Sequence, residues 1–197
     1  MSKGANTKQE ILSQTVGLFN KHGYAGVSMS RIMDVTGLKK GGIYNHFESK
    51  EQLALEVFDY ATSKVRERFV EGLKDKKTAP ERLHAILAIM ARYVSDPPVA
   101  GGCPIHNTAI DSSYSHPALQ ERARSGMDEL QSFIRRTVSK GIERNELDDN
   151  LDADHVAAIM LSTLEGALMM SKLYSTSTYM TQAVTHLSQF IDEQLKK

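Results

Sequence analysis

The fold of this chain is decided by residues 28–50, which read SMSRIMDVTGLKKGGIYNHFESK. Apolar side chains recur at helical spacing over residues 29–35, and Ser28 precedes them with an oxygen suited to capping a helix N-terminus. Gly37 follows, and glycine can adopt the positive φ angle that a tight turn between two helices needs. A second short helix is predicted over residues 39–47. Together these signals indicate a helix-turn-helix.

The second predicted helix presents an outward face that suits DNA. Its lysines offer charge for phosphates, its tyrosine and asparagine offer hydrogen bonds, and its adjacent glycines permit close approach of the backbone. The candidate DNA-binding residues are Ser28, Arg31, Lys39, Lys40, Gly42, Tyr44, Asn45, His46 and Lys50. We expect Ser28, Tyr44 and Lys50 at phosphates, and Lys39, Lys40, Gly42 and Asn45 nearest the bases. Spacing alone also fits a surface helical hairpin with a solvated basic face.

The charge distribution supports a DNA-binding N-terminus. The chain has 24 basic and 24 acidic residues, so its net charge is zero. Residues 1–50 nevertheless hold seven Lys or Arg and three acidic residues, a net charge of +4, and residues 51–197 carry the balancing −4. A basic end on an acidic body favours approach to DNA through that end.

Two segments resemble the TetR/AcrR family of one-component transcriptional regulators. Residues 40–47, KGGIYNHF, and residues 49–53, SKEQL, resemble its block K-G-x-[LIF]-Y-x-[HY]-F-x-[ST]-K-x-x-L. Upstream, GY at 23–24 and VSM at 27–29 are similar to its signature G-[YF]-x-x-[TV]-[ST]-[MV]. The resemblance is specific over about residues 8–60. Gly42 departs from the family pattern, which commonly has a small hydroxyl residue at that position.

Helical periodicity continues along the chain and predicts an all-α fold of about nine helices. We expect a helix-turn-helix DNA-binding domain of three helices at residues 1–50, and a ligand-binding and dimerisation domain at residues 51–197. A long helix at 49–72 would connect them. The other helices are expected at about 7–22, 80–95, 105–112, 116–142, 152–173 and 177–195.

Composition narrows the class of protein. The chain has 197 residues, 41% of them hydrophobic, with no Trp and five prolines, which suits an all-helical protein. No apolar run is expected to reach the length of a membrane span, and the polar start does not resemble a signal peptide. A single cysteine excludes an intramolecular disulfide and fits the cytoplasm. We therefore expect a cytoplasmic chain without a membrane partner.

Cys103 lies in a Gly-Gly-Cys-Pro segment just before a predicted helix, with His106 three residues later. A thiol near a helix N-terminus and an imidazole can have a lowered pKa, which favours the thiolate and its reaction with oxidants or electrophiles. The resemblance implies the same two readings, because some family members sense electrophiles through a cysteine near this position and others only pack a small residue there. We favour packing and keep the sensing hypothesis open.

The sequence offers little for metal binding or catalysis. Its seven histidines form no H-x3-H pair and no C-x2-C accompanies them, so we expect no metal site. There is no G-x-S-x-G, no phosphate-cradling glycine motif after a strand and no H-E-x-x-H. Cys103 and His106 could act as nucleophile and base, but no third group that would orient them is identifiable. No catalytic residue and no cofactor are predicted.

The helices between residues 80 and 173 are the natural place for a small-molecule pocket. Its candidate lining residues are Tyr93, Cys103, Asn107, Ile110, Met127, Glu165 and Met169. The resemblance further implies that the last two helices of each protomer form a four-helix bundle in a homodimer. The candidate dimerisation residues are Leu164, Gly166, Leu187, Phe190 and Ile191.

These observations predict a homodimeric regulator that represses transcription from a pseudo-palindromic operator in double-stranded DNA. A small-molecule inducer would release it. Two alternatives stay open: a repressor that is switched covalently at Cys103, and a helical enzyme or adaptor that carries a vestigial DNA-binding unit.

Overall fold

The computed structural model describes residues 3–112 and 116–196. Within these ranges the chain is all-α, as predicted, and the only extended pairing is a single bridge between Leu147 and Lys196. The helices are α1 (Lys3–Gly26), α2 (Met29–Thr36), α3 (Lys40–Tyr44), α4 (Lys50–Leu73), α5 (Ala79–Ala91), α6 (Pro104–Ser112), α7 (Pro117–Glu143), α8 (Ala153–Leu173) and α9 (Thr178–Phe190). A short 3₁₀ turn, Arg92–Val94, follows α5, and a π-helical turn, Ile191–Leu195, follows α9.

The chain forms two compact units, each made of two separate segments. The first unit combines Met1–Val65 with Pro98–Gly126, and the second unit combines Arg66–Pro97 with Met127–Lys197. These units follow internal packing. The predicted functional division at residue 50 stays a prediction.

The first unit is built around the apolar stripe of α1. Its buried residues share one face of the helix and are Ile11, Leu12, Thr15, Val16 and Phe19. Helix α6 returns to pack on α1. Two asparagine side chains fasten this return: the Asn107 amide donates to the backbone and side-chain oxygens of Asn20, and the Asn20 amide donates to the carbonyl oxygens of Ala100 and Gly102.

Helix α1 is interrupted at Gly23, where the sequence predicts its end. Gly23 has φ 66° and ψ 177°, a combination that is essentially restricted to glycine. The Asp111 carboxylate of α6 accepts a hydrogen bond from the Tyr24 backbone N–H at 2.8 Å. A Cβ atom added at Gly23 would collide with that carboxylate. The interruption therefore brings α6 against the end of α1.

Helix ends in the second unit follow local capping rules. Thr78 caps α5 by accepting from the Glu81 backbone N–H, and the Glu81 carboxylate accepts from the backbone N–H of Thr78 and Lys77. These hydrogen bonds, with the one from Thr78 first, hold the pKa of Glu81 below its usual value. Pro80 lies in the first turn, as predicted.

Helix α8 corrects the expectation that no apolar run reaches the length of a membrane span. It has 21 residues, and its most apolar 18-residue window has a mean hydropathy of 1.4, so by length and composition it could cross a membrane. Half of that window is buried inside the protein, where α8 packs against α5 and α9. This combination is typical of a core helix.

The structure also corrects the predicted dimerisation residues. Leu164, Leu187 and Ile191 are fully buried inside their own protomer. Because these three side chains are enclosed within one protomer, they are not available to a partner. Gly166 and Phe190 are half-exposed, and their role in dimerisation stays a prediction.

Candidate nucleic-acid interface

Helix α2 begins and ends as local chemistry predicts. The Ser28 hydroxyl accepts a hydrogen bond from the Arg31 backbone N–H at 3.3 Å and so caps the helix. At the other end, Gly37 has φ 67°, and its N–H donates to the Met33 carbonyl oxygen at 2.9 Å. Ile32 is the buried anchor between these ends. The turn that follows directs the chain into α3.

Helix α3 separates its anchors from its outward side chains within a few residues. Ile43 and the nearby Phe47 are buried. The helix ends at Tyr44, earlier than predicted, and a turn continues it because the N–H groups of residues 46 and 47 still donate to the Ile43 carbonyl oxygen. The outward residues Lys39, Lys40, Gly41, Tyr44 and Asn45 are exposed, and Gly42 and His46 are half-exposed.

The outward face of α3 has free charge and open space. Lys39 forms no ion pair with the described residues, and the Lys40 ammonium lies 5.7 Å from the centroid of the Tyr44 ring. A Cβ atom added at Gly41 would meet nothing within 4 Å. Packing inside the protein therefore does not require glycine here, which is consistent with close approach of another molecule.

Lys50 has a structural role that the sequence did not reveal. Its ammonium donates to the Tyr24 carbonyl oxygen at 2.7 Å and lies 4.1 Å from the centroid of the Tyr24 ring. Burial lowers the pKa of Lys50, and the same effect raises the pKa of Tyr24. Lys50 thus connects the start of α4 to the end of α1. Its side chain is only half-exposed, which limits its access to a phosphate.

Arg31 is also turned back onto the protein. Its guanidinium donates to the Gly26 carbonyl oxygen at 2.9 Å and lies 3.2 Å from the Nε2 atom of His22. A third cation, Lys8, pairs with Glu56 at 2.7 Å and lies 5.1 Å from the centroid of the Phe47 ring. Arg31 and Lys8 are thus engaged by groups of the protein itself. Tyr24 and Lys8 were missed because their partners are distant in sequence.

The predicted ligand-binding residues do not come together in either unit. Cys103, Asn107 and Ile110 belong to the first unit, whereas Tyr93, Met127, Glu165 and Met169 belong to the second. Tyr93 and Glu165 are buried. For two of these residues the prediction is wrong. Ile110 is 70% exposed and Met169 is 43% exposed, so neither lines an enclosed cavity. The Asn107 amide is occupied by the Asn20 and Gly101 oxygens.

Cys103 is only 2% exposed. It immediately precedes α6, and its carbonyl oxygen accepts from the Asn107 N–H at 3.1 Å, as the first turn of that helix requires. His106 is half-buried. Burial limits the access of solvent and electrophiles to the thiol, which favours the packing interpretation over the sensing one.

The sequence and fold of this chain are similar to those of known bacterial transcriptional regulators. A family model described as "Bacterial regulatory proteins, tetR family" matches residues 11–57, and one described as "Tetracyclin repressor-like, C-terminal domain" matches residues 79–187. The crystal structure of a TetR transcriptional regulator from Chloroflexus aurantiacus J-10-FL is 47% identical, with a TM-score of 0.96, over 100% of this chain and 99% of that one.

Two further relatives cover the chain along its whole length. The structure of a TetR-family transcriptional regulator from Cytophaga hutchinsonii is 28% identical, with a TM-score of 0.91, over 100% of this chain and 98% of that one. The HTH-type transcriptional regulator LmrA of Bacillus subtilis (strain 168) is 25% identical over 199 residues, which cover 100% of both chains.

Proposed function

Since this chain belongs to the TetR family of bacterial regulatory proteins, we propose that it binds a pseudo-palindromic operator as a homodimer and is released by a small-molecule inducer. The chain is a helix-turn-helix transcriptional regulator, and ligand-responsive repression fits its family. Its relatives are regulators rather than enzymes. We accordingly assign it no catalytic activity and place it in the cytoplasm with the DNA it binds.

The observation that carries the proposal is the arrangement of α2, Gly37 and α3. Ile32 and Ile43 are buried, whereas the cations and hydrogen-bonding groups of α3 face outward. This is the division that a recognition helix needs, because phosphates are bound by charge and bases by directed hydrogen bonds. Tyr44 is assigned to a phosphate and Asn45 to a base edge.

The proposed dimer contact is a seam along α8. Its members Ile159, Ser162, Gly166, Met169 and Leu173 are separated by alternating steps of three and four residues, the spacing of a coiled-coil seam. Ile159 is 42%, Met169 is 43% and Leu173 is 68% exposed, which is unusual for apolar side chains of a core helix. A Cβ atom added at Gly166 would meet nothing within 4 Å. A second copy of the chain would cover this seam.

The proposed route from inducer to DNA runs through α6. Asp111 of α6 holds the Tyr24 N–H at the end of α1, and the Tyr24 carbonyl oxygen holds Lys50 at the start of α4. A movement of α6 would therefore displace the two helices that flank α2 and α3. Inducer binding that favours the displaced arrangement would lower the population that fits the operator.

The proposal is tested by selecting duplexes from a random pool with the purified protein. We expect enrichment of a sequence with two related half-sites whose centres lie about 34–36 Å apart, or a multiple of that distance. Asn45→Ala should relax the preference at one position of each half-site, because it removes a group assigned to a base edge.

The matched control is Asn150→Ala, which removes an exposed asparagine from the second unit. It should select the same sequence as the wild type. Failure of the wild type to enrich any sequence would refute the proposed function.

A further inference from the structure

A concave pocket in the second unit is lined by several basic residues that have no role in the proposed function. It has a volume of about 350 Å³ and lies between the start of α5 and the C-terminal part of α7. Its charged residues are Lys77, Arg82, Arg136, Lys140, Arg144 and one acid, Glu146. We call it the cationic pocket.

The cationic pocket is positively charged, although the unit that contains it has a negative net charge. The second unit contains 14 Lys or Arg and 16 Asp or Glu, so it is acidic overall, with a net charge of −2. Five of those 14 basic residues nevertheless line this one pocket with a single carboxylate. None of the five forms an ion pair with the residues that the structure describes. The pocket therefore carries a local excess of positive charge, although the Arg82 and Arg144 guanidinium groups donate to the backbone carbonyl oxygens of Lys76 and Lys77.

The carboxylates at this end of α5 are already occupied by backbone groups. Glu146 accepts from the Ala79 N–H at 2.6 Å, and Glu81 accepts from the N–H groups of Lys77 and Thr78 at 3.0 Å. The N-terminus of α5 is thus capped from within. The positive potential of the pocket comes from its side chains, not from free helix N–H groups.

The positions of these cations are unfavourable for the empty protein. Arg136 and Lys140 lie four residues apart on α7, and Arg144 follows directly after its last residue, where the Arg144 N–H still donates to the Lys140 carbonyl oxygen at 3.1 Å. Like charges at this spacing repel one another. The dipole of α7 attracts cations at its C-terminal end, but Arg82 and Lys77 lie at the N-terminal end of α5, where a helix dipole disfavours them. An anion in the pocket would relieve both effects.

The walls of the pocket suit an organic anion. Phe133 is half-buried, stacks edge to face on Phe69 with centroids 6.1 Å apart, and has the Arg82 guanidinium 5.7 Å from its ring centroid. The buried residues Ala79, Thr137 and Gly141 line the pocket between the cations. A volume of about 350 Å³ is at the small end of the range for ligand pockets.

We propose that the cationic pocket binds a small phosphorylated molecule that carries at least two negative charges and a flat or apolar group. Its phosphates contact the arginines and lysines, since guanidinium groups match phosphate oxygens in charge and geometry. Its flat or apolar part packs on Phe133. No residue of the α8 seam or of the recognition helix is among the residues that line this pocket.

The test is titration calorimetry of the full-length protein, without DNA, using adenosine triphosphate, pyrophosphate, inorganic phosphate and uncharged adenosine. We expect adenosine triphosphate and pyrophosphate to bind more tightly than phosphate, and adenosine not to bind. Arg136→Gln should weaken binding at least about tenfold, and Arg136→Lys should restore part of it.

Arg135→Gln is the matched control, because Arg135 is the neighbouring residue on α7 and pairs with Asp154 at 3.7 Å outside the pocket. It should bind the probes as the wild type does. Equal losses in the two glutamine variants, or no binding of any phosphorylated probe at millimolar concentration, would overturn the proposal. Loss of DNA affinity in Arg136→Gln, with no probe bound, would assign the pocket to DNA and overturn it as well.

Discussion

The recognition segment exposes a polar surface, whereas helix α8 exposes an apolar one. In residues 28–47, buried anchors such as Ile43 alternate with exposed polar groups such as Asn45 within a single turn. In α8, apolar side chains occur on every side of the helix, and only packing against α5 and α9 decides that Leu164 is buried while Met169 is exposed. The first surface is complete in one protomer. The second surface is apolar and is expected to be completed by a partner.

The largest effect is expected when the apolar surface of α8 is made polar. Met169→Glu introduces a charge in the middle of the exposed seam, and a twofold dimer would bury two such charges close together. We expect the dimer dissociation constant to rise at least about 100-fold, which corresponds to roughly 2.7 kcal/mol. Light scattering at micromolar concentration should show a folded monomer.

Val70→Glu provides the matched control for the seam. Val70 is another exposed apolar residue of the second unit, 66% exposed against 43% for Met169, and it belongs to α4 instead of α8. Its replacement should leave the dimer intact. A Met169→Glu protein that remains dimeric would show that α8 is not the contact.

A smaller effect is expected at the point where α6 meets α1. Gly23→Ala forces a side chain into a backbone conformation that costs about 1–3 kcal/mol for residues other than glycine, and its Cβ atom also collides with Asp111. We expect the free energy of unfolding to fall by at least that amount. Chemical denaturation monitored by circular dichroism measures it.

Gly41→Ala separates this effect from a general response to glycine replacement. Gly41 is helical and has open space around it, so alanine should stabilise the fold by up to about 1 kcal/mol. If the two variants had the same stability, the special conformation of Gly23 would not matter to the fold.

Local rules accounted for the recognition segment. The Ser28 cap and the Gly37 turn depend on residues within about one turn of each other, and the structure confirms both. The supporting roles of Lys50 and Arg31 could not be predicted in this way. Lys50 bonds to a residue 26 positions away, and its partner is a backbone oxygen that any residue could supply.

Long-range packing limited what the sequence could reveal about the second unit. A helix that is apolar on every side shows no periodicity that marks its inward face. Leu164 was therefore assigned to the dimer and Met169 to a pocket, whereas the structure buries the first and exposes the second. The cationic pocket was missed for a similar reason, because its basic residues come from two segments that meet only in the folded chain.

The most direct test of the account is the salt dependence of binding to the selected operator. The logarithm of the association constant falls linearly with the logarithm of the salt concentration, with a slope set by the number of neutralised phosphates. Lys39→Gln should reduce the magnitude of that slope by about 2, because each of the two recognition helices of the dimer loses one exposed cation whose charge neutralises phosphates at the edge of the groove. Lys74→Gln, which removes an exposed cation beyond the end of α4, should leave the slope unchanged. Equal slopes for wild type and Lys39→Gln, or an equal reduction in both variants, would contradict DNA binding through α3.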